Sequence, residues 1–145
     1  MNTFINPISG LVHSHFTVIL SAWHTHGLEG QARADLNELY NTQLGAALND
    51  TIGKMNSTHA WGCYDGGQED SYVCACHDIV EVMALYELGK NFNQECILVV
   101  DHRTETVGLL YMDGQVSRIG KNLVQVCDTV KGDYTQVGGK RYIVQ

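Results

Sequence analysis

The order of helix-like and strand-like segments constrains the fold of this chain more than any other feature. The apolar, β-branched run HFTVILSAWHT (residues 15–25) predicts a strand that is buried on at least one face. Residues 27–48 then predict an amphipathic helix, because apolar side chains recur at three- and four-residue spacing. Its predicted buried stripe consists of Leu36, Leu39, Tyr40, Leu44, Ala47 and Leu48, and its predicted polar side of Asp35, Asn37, Glu38 and Asn41.

Two further strands are predicted in residues 59–76. The turn residues Asp65–Gly66–Gly67 separate two stretches with strand-like composition, which is typical of a β-hairpin. In the second of these strands Tyr72, Cys74 and Cys76 alternate onto one face.

A second helix is predicted from about Asp78 to Gly89. Asp78 can cap its first turn, and Glu81 stands three residues later, as in a capping box. We expect this helix to bury Ile79, Val82, Met83 and Tyr86. Strands at 95–101 and 106–112, an Asp113–Gly114 turn into another strand and a final strand RYIVQ (residues 141–145) complete the pattern.

The resulting order is strand, helix, strand, strand, helix, strand, followed by further β-structure. It predicts an α+β fold with an antiparallel sheet and two helices on one face, the ferredoxin-like arrangement. Residues 1–145 form one predicted domain, with residues 1–14 as an N-terminal extension. Because two helices would leave the other sheet face bare, we expect a homo-oligomer that covers it.

The net charge of -7 at pH 7 restricts the possible partners. It repels phosphate backbones and attracts cationic ligands, so we expect no nucleic-acid partner. No apolar run is long enough to span a membrane, and the N-terminus MNTFINPISG lacks the features of a signal peptide. We therefore expect a cytoplasmic protein without a membrane partner, whose 5 cysteines are reduced thiols.

The histidines and the loop acids are the tempting functional residues. His13 and His15, His24 and His26, and Cys74-x-Cys76-His77 form close clusters, but their spacing does not match a structural zinc site. Core packing explains the two cysteines equally well, and we expect no metal. Asp65, Glu69 and Asp70 are typical of a solvated hairpin tip when taken alone.

Gly108 lies inside a predicted strand. A glycine there indicates either a close approach of a ligand or neighbouring chain, or a simple β-bulge.

Three segments together resemble a known family. HFTVILSAW, WGCYDGGQED and QECILVVDHRTETVGLLYMDG, in this order, resemble the phage-encoded S-adenosylmethionine lyases, formerly described as hydrolases. The similarity is densest at residues 21–23, at 62–64 with Glu69, and at 94–111.

The resemblance implies an activity without cofactor or metal. The carboxylate of S-adenosylmethionine attacks its own γ-carbon, which releases 5′-methylthioadenosine and L-homoserine lactone. Family members form a PII-like trimer of ferredoxin-like subunits with sites between subunits. In the host cytoplasm such an enzyme lowers methyl-donor levels and counters restriction-modification.

The resemblance also implies roles for individual residues. Glu69 would bind the substrate ammonium, and Tyr64 would lie beside the sulfonium. The substrate pocket would be lined by Ser21, Ala22, Trp23, Gln94, Thr106, Val107, Gly108 and Leu109. A slip of the short loop would put Asp70 or Gln68 in place of Glu69, and His24 stands where the resemblance implies an arginine.

Two other functions remain open from the sequence. One is a PII-like trimer that binds an adenine nucleotide without catalysis, although WGCYDGGQED offers no basic group for phosphates. The other is a metal-binding trimer that uses the histidine clusters.

Overall fold

The computed structural model describes residues 15–22, 30–64, 67–127 and 132–145, and it confirms the α+β class. Within these ranges two α-helices accompany a nine-stranded antiparallel sheet. The elements are β1 (Phe16–Leu20), α1 (Gly30–Ile52), β2 (Ser57–Tyr64), β3 (Gly67–Cys76), α2 (Ile79–Asn91), β4 (Cys96–Asp101), β5 (Thr106–Tyr111), β6 (Val116–Gly120), β7 (Leu123–Val126), β8 (Tyr134–Val137) and β9 (Lys140–Val144), with a short 3-10 turn at Lys54–Asn56 before β2.

The strand order is β6-β5-β4-β1-β3-β2-β8-β9-β7. The first six elements therefore follow the predicted sequence of strand, helix, strand, strand, helix and strand. Each helix connects two strands that have a third strand between them: α1 joins β1 to β2 around β3, and α2 joins β3 to β4 around β1.

The first core lies between the two helices and one face of the sheet, here called the helix face. Cys74 and Cys76 of β3 are buried in it and Tyr72 packs against it, which confirms the predicted alternation. The buried members of this core are Phe16, Val18, Leu20, Ala22, Leu44, Leu48, Ile52, Cys74, Cys76, Val82, Leu85, Tyr86 and Ile97.

The second core lies on the opposite face, here called the concave face. Its buried members are Ile19, Ala60, Val73, Ala75, Val100, Val107, Leu123 and Val137. Tyr142 and Val144 of β9 pack against them, so the C-terminal strands cover this face. The expectation of a bare sheet face was wrong, because side chains of the strands after β5 pack on this face.

The curvature of the sheet follows from one short connection. β6 and β7 are the two edge strands, yet only Lys121 and Asn122 separate them along the chain. The N–H groups of both residues donate to the carbonyl of Gln145, at 2.8 and 3.1 Å. The C-terminal end of β6 and the N-terminal end of β7 must therefore lie close together, and the sheet curls into a half-barrel.

The buried stripe of α1 is rotated relative to the prediction. Asn37 and Asn41, predicted to be polar and outward, are buried beside Leu44, Leu48 and Ile52. Leu39, predicted to be buried, is 53% exposed. The Tyr72 hydroxyl donates to the Asn41 carbonyl (3.2 Å). The first half of α1 thus buries polar side chains, which a hydrophobicity pattern cannot reveal.

The start of α2 agrees with the prediction, but its buried side is different. The Asp78 side chain accepts a hydrogen bond from the Glu81 N–H (2.9 Å), as a helix cap. Val82 and Tyr86 are buried as expected, together with Leu85 and Gly89. Ile79 and Met83 are exposed, because the stripe that faces the sheet follows 82, 85, 86 and 89.

Candidate functional site

One end of the concave face collects polar groups from three neighbouring strands. β1 lies between β3 and β4, and its last residue pairs with Tyr72. Ser21 follows β1, Glu69 and Ser71 lie in the first half of β3, and Cys96 begins β4. These four residues share one end of the sheet, which we call the mouth of the half-barrel.

Glu69 points into the mouth. Its position in β3 alternates in phase with Val73 and Ala75 of the concave core, and it pairs with Gly62 of β2. Glu69 is half-buried, and this burial raises the pKa of its carboxyl to about 7.

No described cation or hydrogen-bond donor contacts the Glu69 carboxylate. Partial burial of an unpaired carboxylate disfavours its charged form, since water is removed and nothing replaces it. Among the described residues, nothing therefore compensates the negative charge of Glu69 when its carboxyl is ionised.

Cys96 lies close enough to Glu69 for their charges to interact. Burial first, and then Glu95 and Glu69, raise the pKa of the Cys96 thiol, so it is a neutral group at pH 7. Ser71 is buried, and its hydroxyl has no hydrogen-bond partner in the described part of the chain. Both side chains lie on the concave face beside Glu69.

Asp70 lies on the other side of the sheet. Its phase in β3 is that of Tyr72 and Cys74, on the helix face. His59 of β2 is hydrogen-bonded to it there, with His59 Nε2 and Asp70 Oδ1 2.6 Å apart. Glu69 and Asp70 are therefore not interchangeable in this structure, and only Glu69 reaches the mouth.

The other predicted site residues differ in where they lie relative to Glu69. The Ser21 hydroxyl donates to the Asp70 main-chain carbonyl (2.5 Å), so it is engaged with the chain itself. Ala22 is buried in the helix-face core rather than on the concave face. Tyr64 ends β2, where its backbone pairs with Gly67. Trp23, His24 and the loop residues 65–66 lie outside the described residues.

Gln94 lies at the same end of the sheet, between α2 and β4. Its N–H donates to the Gly89 carbonyl (2.9 Å), which closes the end of the helix. Its side chain is half-buried two residues before Cys96.

The predicted segment Thr106–Leu109 begins at the opposite end. Thr106 pairs with Asp101, which pairs with Phe16 at the start of β1. Ser21 lies five positions after Phe16, which is about 17 Å along an extended strand. Val107 is buried in the concave core, and Leu109 pairs with Leu98 nearer the mouth. One chain does not bring Thr106 and Glu69 together.

Gly108 is the site of a β-bulge. The register between β5 and β6 shifts between Val107 and Gly108. A Cβ at Gly108 would stand 3.4 Å from the Ser117 carbonyl, an ordinary contact. The simple alternative considered for this glycine is therefore the one observed.

Three residues near the site were missed by the sequence analysis. Ser71 was within reach of prediction, since it lies two positions from Glu69 on the same strand face. Cys96 was not, because only the strand order β3-β1-β4 brings it near. The partnership of His59 with Asp70 depends on the register of the hairpin.

Among the described residues, no group of three or more His, Cys, Asp or Glu side chains is placed to bind a metal ion. No helix in the described part of the chain has the length and apolar character needed to cross a membrane.

Comparison with known proteins gives one family. The model of the S-Adenosylmethionine lyase family matches residues 18–145, which is most of the chain. The comparison with curated proteins finds no match.

Proposed function

The chain belongs to the S-adenosylmethionine lyase family, and we propose that it converts S-adenosyl-L-methionine to 5′-methylthioadenosine and L-homoserine lactone. The observation that carries this proposal is the half-buried carboxylate of Glu69 in the mouth of the half-barrel, which no cation among the described residues contacts. The substrate carries an ammonium and a sulfonium, and either would supply a cation to this carboxylate.

The reaction needs little from the protein besides placement. An oxygen of the substrate carboxylate attacks the γ-carbon, and the bond from that carbon to sulfur breaks. The electron pair of this bond neutralises the sulfonium, so no proton, water or metal takes part. Holding the reacting atoms in line supplies roughly 7–11 kcal/mol in favourable intramolecular cases. Glu69 would hold the ammonium and thereby keep the methionyl chain folded.

The environment of Glu69 couples binding to ionisation. With its pKa at about 7, the carboxyl is largely neutral below pH 6 and largely charged above pH 8. A cationic substrate favours the charged form, so binding at neutral pH releases part of a proton. Tyr64, at the end of the neighbouring strand, would place its phenol near the sulfonium.

We also propose that the subunit is ferredoxin-like and assembles into a PII-like trimer. The central order β4-β1-β3-β2, with both helices on one face, supports the first part. The separation of Thr106 from Glu69 supports the second, since two copies of the chain could bring these ends together. Trp23, Gln94 and Thr106–Leu109 would then line the pocket from more than one subunit.

The alternative is a PII-like trimer that binds an adenine nucleotide without catalysis. Polyphosphate binding requires cationic groups. The described residues of the mouth are instead an unpaired carboxylate, two hydroxyls and a thiol, namely Glu69, Ser21, Ser71 and Cys96. This composition favours the lyase.

Product identity tests the proposal. Purified protein is incubated with S-adenosylmethionine in ¹⁸O-labelled water, and early time points are analysed by mass spectrometry. We expect methylthioadenosine and unlabelled homoserine lactone; labelled homoserine as the first product would indicate hydrolysis, and intact substrate would contradict catalysis. Glu69→Gln should lose most of the activity. Glu87→Gln, which changes an exposed glutamate on α2, is the matched control.

In a cell, such an enzyme would act in the cytoplasm and lower the supply of methyl donor. If the gene is phage-encoded, this would blunt methylation-dependent host restriction. Expression should reduce cellular S-adenosylmethionine and DNA methylation, whereas expression of Glu69→Gln should not.

A further inference from the structure

We propose that His59 is a positioning residue that, through Asp70, fixes the register of the β2–β3 hairpin so that Glu69 and not Asp70 enters the mouth. The importance of this register for catalysis rests on the proposed function. The register itself does not depend on that function, because titration of Glu69 reports it without any activity.

Burial fixes the register of the C-terminal half of β3. Val73 and Ala75 belong to the concave core, while Cys74 and Cys76 belong to the helix-face core. A shift by one residue would move each of them to the wrong face.

The N-terminal half of β3 has no buried apolar side chains that would fix its register in the same way. Residues 67–71 read GQEDS, with polar side chains on both faces after the glycine. Strands that are glycine-containing and polar on both sides specify their register weakly. An extra or missing residue in the hairpin, in the manner of a β-bulge, would exchange the faces of Glu69 and Asp70 at little cost in apolar burial.

His59 supplies the missing restraint on the helix face. It pairs with Tyr72, and from there its Nε2 reaches diagonally to Asp70 Oδ1 at 2.6 Å. The rings of Trp61 and Tyr72 flank the imidazole edge-to-face, with centroid distances of 5.4 and 5.8 Å. These contacts hold the ring in the orientation that the hydrogen bond requires.

Ser21 holds the same residue from the other neighbouring strand. Its hydroxyl donates to the main-chain carbonyl of Asp70, while His59 holds the side chain. Asp70 is thereby attached both to β2 and to the residue that follows β1. Because side chains alternate along a strand, a fixed Asp70 on the helix face requires Glu69 on the concave face.

Substitutions of His59 test this role. His59→Ala removes the hydrogen bond, whereas His59→Gln keeps an N–H donor close to the position of Nε2. We expect kcat/KM to fall about tenfold or more in His59→Ala, since small misplacements of positioning groups are costly, and to stay within about threefold in His59→Gln. His77→Ala is the matched control: His77 also contacts a carboxylate, Glu81, and its side chain is 56% exposed against 45% for His59.

The position of Glu69 can be read without any activity. The carboxyl carbon of Glu69, assigned as the resonance missing from Glu69→Gln, is titrated by NMR. Its pKa of about 7 in the wild type should fall toward the ordinary value of 4.5 in His59→Ala, because the carboxyl leaves its buried position. It should stay near 7 in His59→Gln and His77→Ala.

An independent restraint on register should rescue the defect. Cys63 lies directly opposite Gln68, and opposed Cα atoms in antiparallel strands are within the range that a disulfide spans. In the double variant His59→Ala/Gln68→Cys, oxidation should restore both the Glu69 pKa and kcat/KM toward those of oxidised Gln68→Cys. Reduction should return them to the His59→Ala values, with the 63–68 bond verified by mass spectrometry.

Three results would overturn the proposal: a Glu69 pKa near 7 in His59→Ala, equal losses in His59→Gln and His59→Ala, or no recovery on oxidation. A wild-type protein that leaves S-adenosylmethionine intact would refute the proposed function alone. The titration would still decide whether His59 sets the register.

Discussion

At the residue scale, the central feature is the environment of Glu69. A carboxylate that is half-buried and lacks a described cation is held at a pKa of about 7 by desolvation. Its neighbour Asp70, one position along the strand, faces the opposite side and bonds to His59 instead. Two adjacent acids thus have different chemistry because the strand alternates, and two predictions follow from the properties of Glu69.

The first concerns the pH dependence of activity. Because Glu69 must be charged to bind an ammonium, kcat/KM should rise with pH and level off above an apparent pKa near 7. Rates measured from pH 5.5 to 8.5 check this. Glu69→Gln should lose most activity at every pH, and a wild-type rate that is constant across the range would contradict the assigned role.

The second concerns stability. The folded pKa of Glu69, about 7, lies above the ordinary carboxyl value of 4.5, so folding favours the protonated form. This contribution to stability is fully present below pH 4.5 and is lost as the pH rises through 7. After allowance for solvent screening, Glu69→Gln should be more stable than wild type by on the order of 1–2 kcal/mol at pH 8.

Urea unfolding at pH 4.5 and at pH 8 measures this difference. The advantage of Glu69→Gln should nearly vanish at the lower pH. Glu87→Gln, on the exposed side of α2, should show no comparable pH-dependent change.

At the element scale, the beginning of α2 is specified locally and its buried side is not. Asp78 caps the helix by accepting the Glu81 N–H, and Glu81 in turn accepts the N–H of His77 (2.8 Å). These bonds join residues three or four apart, which is why the sequence alone predicts them. The orientation of Ile79 and Met83 depends on where the sheet lies, and there the sequence pattern was wrong.

Removal of the cap should have a cost typical of its kind. Asp78→Ala should lower the free energy of unfolding by about 1 kcal/mol, because one helical N–H loses its partner. Chemical denaturation measures the change. Asp50→Ala, an exposed aspartate within α1, is the control and should change stability by less than about 0.5 kcal/mol.

At the scale of the whole molecule, the half-barrel depends on its C-terminal strands. Leu123 of β7 is buried among concave-core residues that come from distant parts of the chain. The hydrogen bonds from the N–H groups of Lys121 and Asn122 to the Gln145 carbonyl attach the connection between the two edge strands to the end of β9. The concave face is thereby apolar in its depth and polar at the mouth.

Because the C-terminal strands contribute to the concave core, a substitution in β7 should lower the stability of the protein strongly, although β7 is far from Glu69 in sequence. Leu123→Ala should destabilise the protein by about 2–5 kcal/mol, as expected for a buried leucine. Leu39→Ala, the same substitution at an exposed position of α1, should cost less than about 0.5 kcal/mol. Equal effects in a denaturation experiment would contradict the description of the concave core.

The sequence by itself determined the class of fold, the order of the first six elements, the Asp78 cap and the face of Cys74 and Cys76. These features depend on local periodicity and on contacts between residues close in the chain. The resemblance to the family also rested on short segments, and the family match supports it.

Only the tertiary structure decided which side of each helix is buried, how β7–β9 cover the concave face, and which carboxylate reaches the mouth. It also separated Thr106 from Glu69 by placing them at opposite ends of the sheet. The physical reason is that burial and strand register depend on partners distant in sequence. A polar strand segment such as GQEDS carries no preference of its own until those partners are in place.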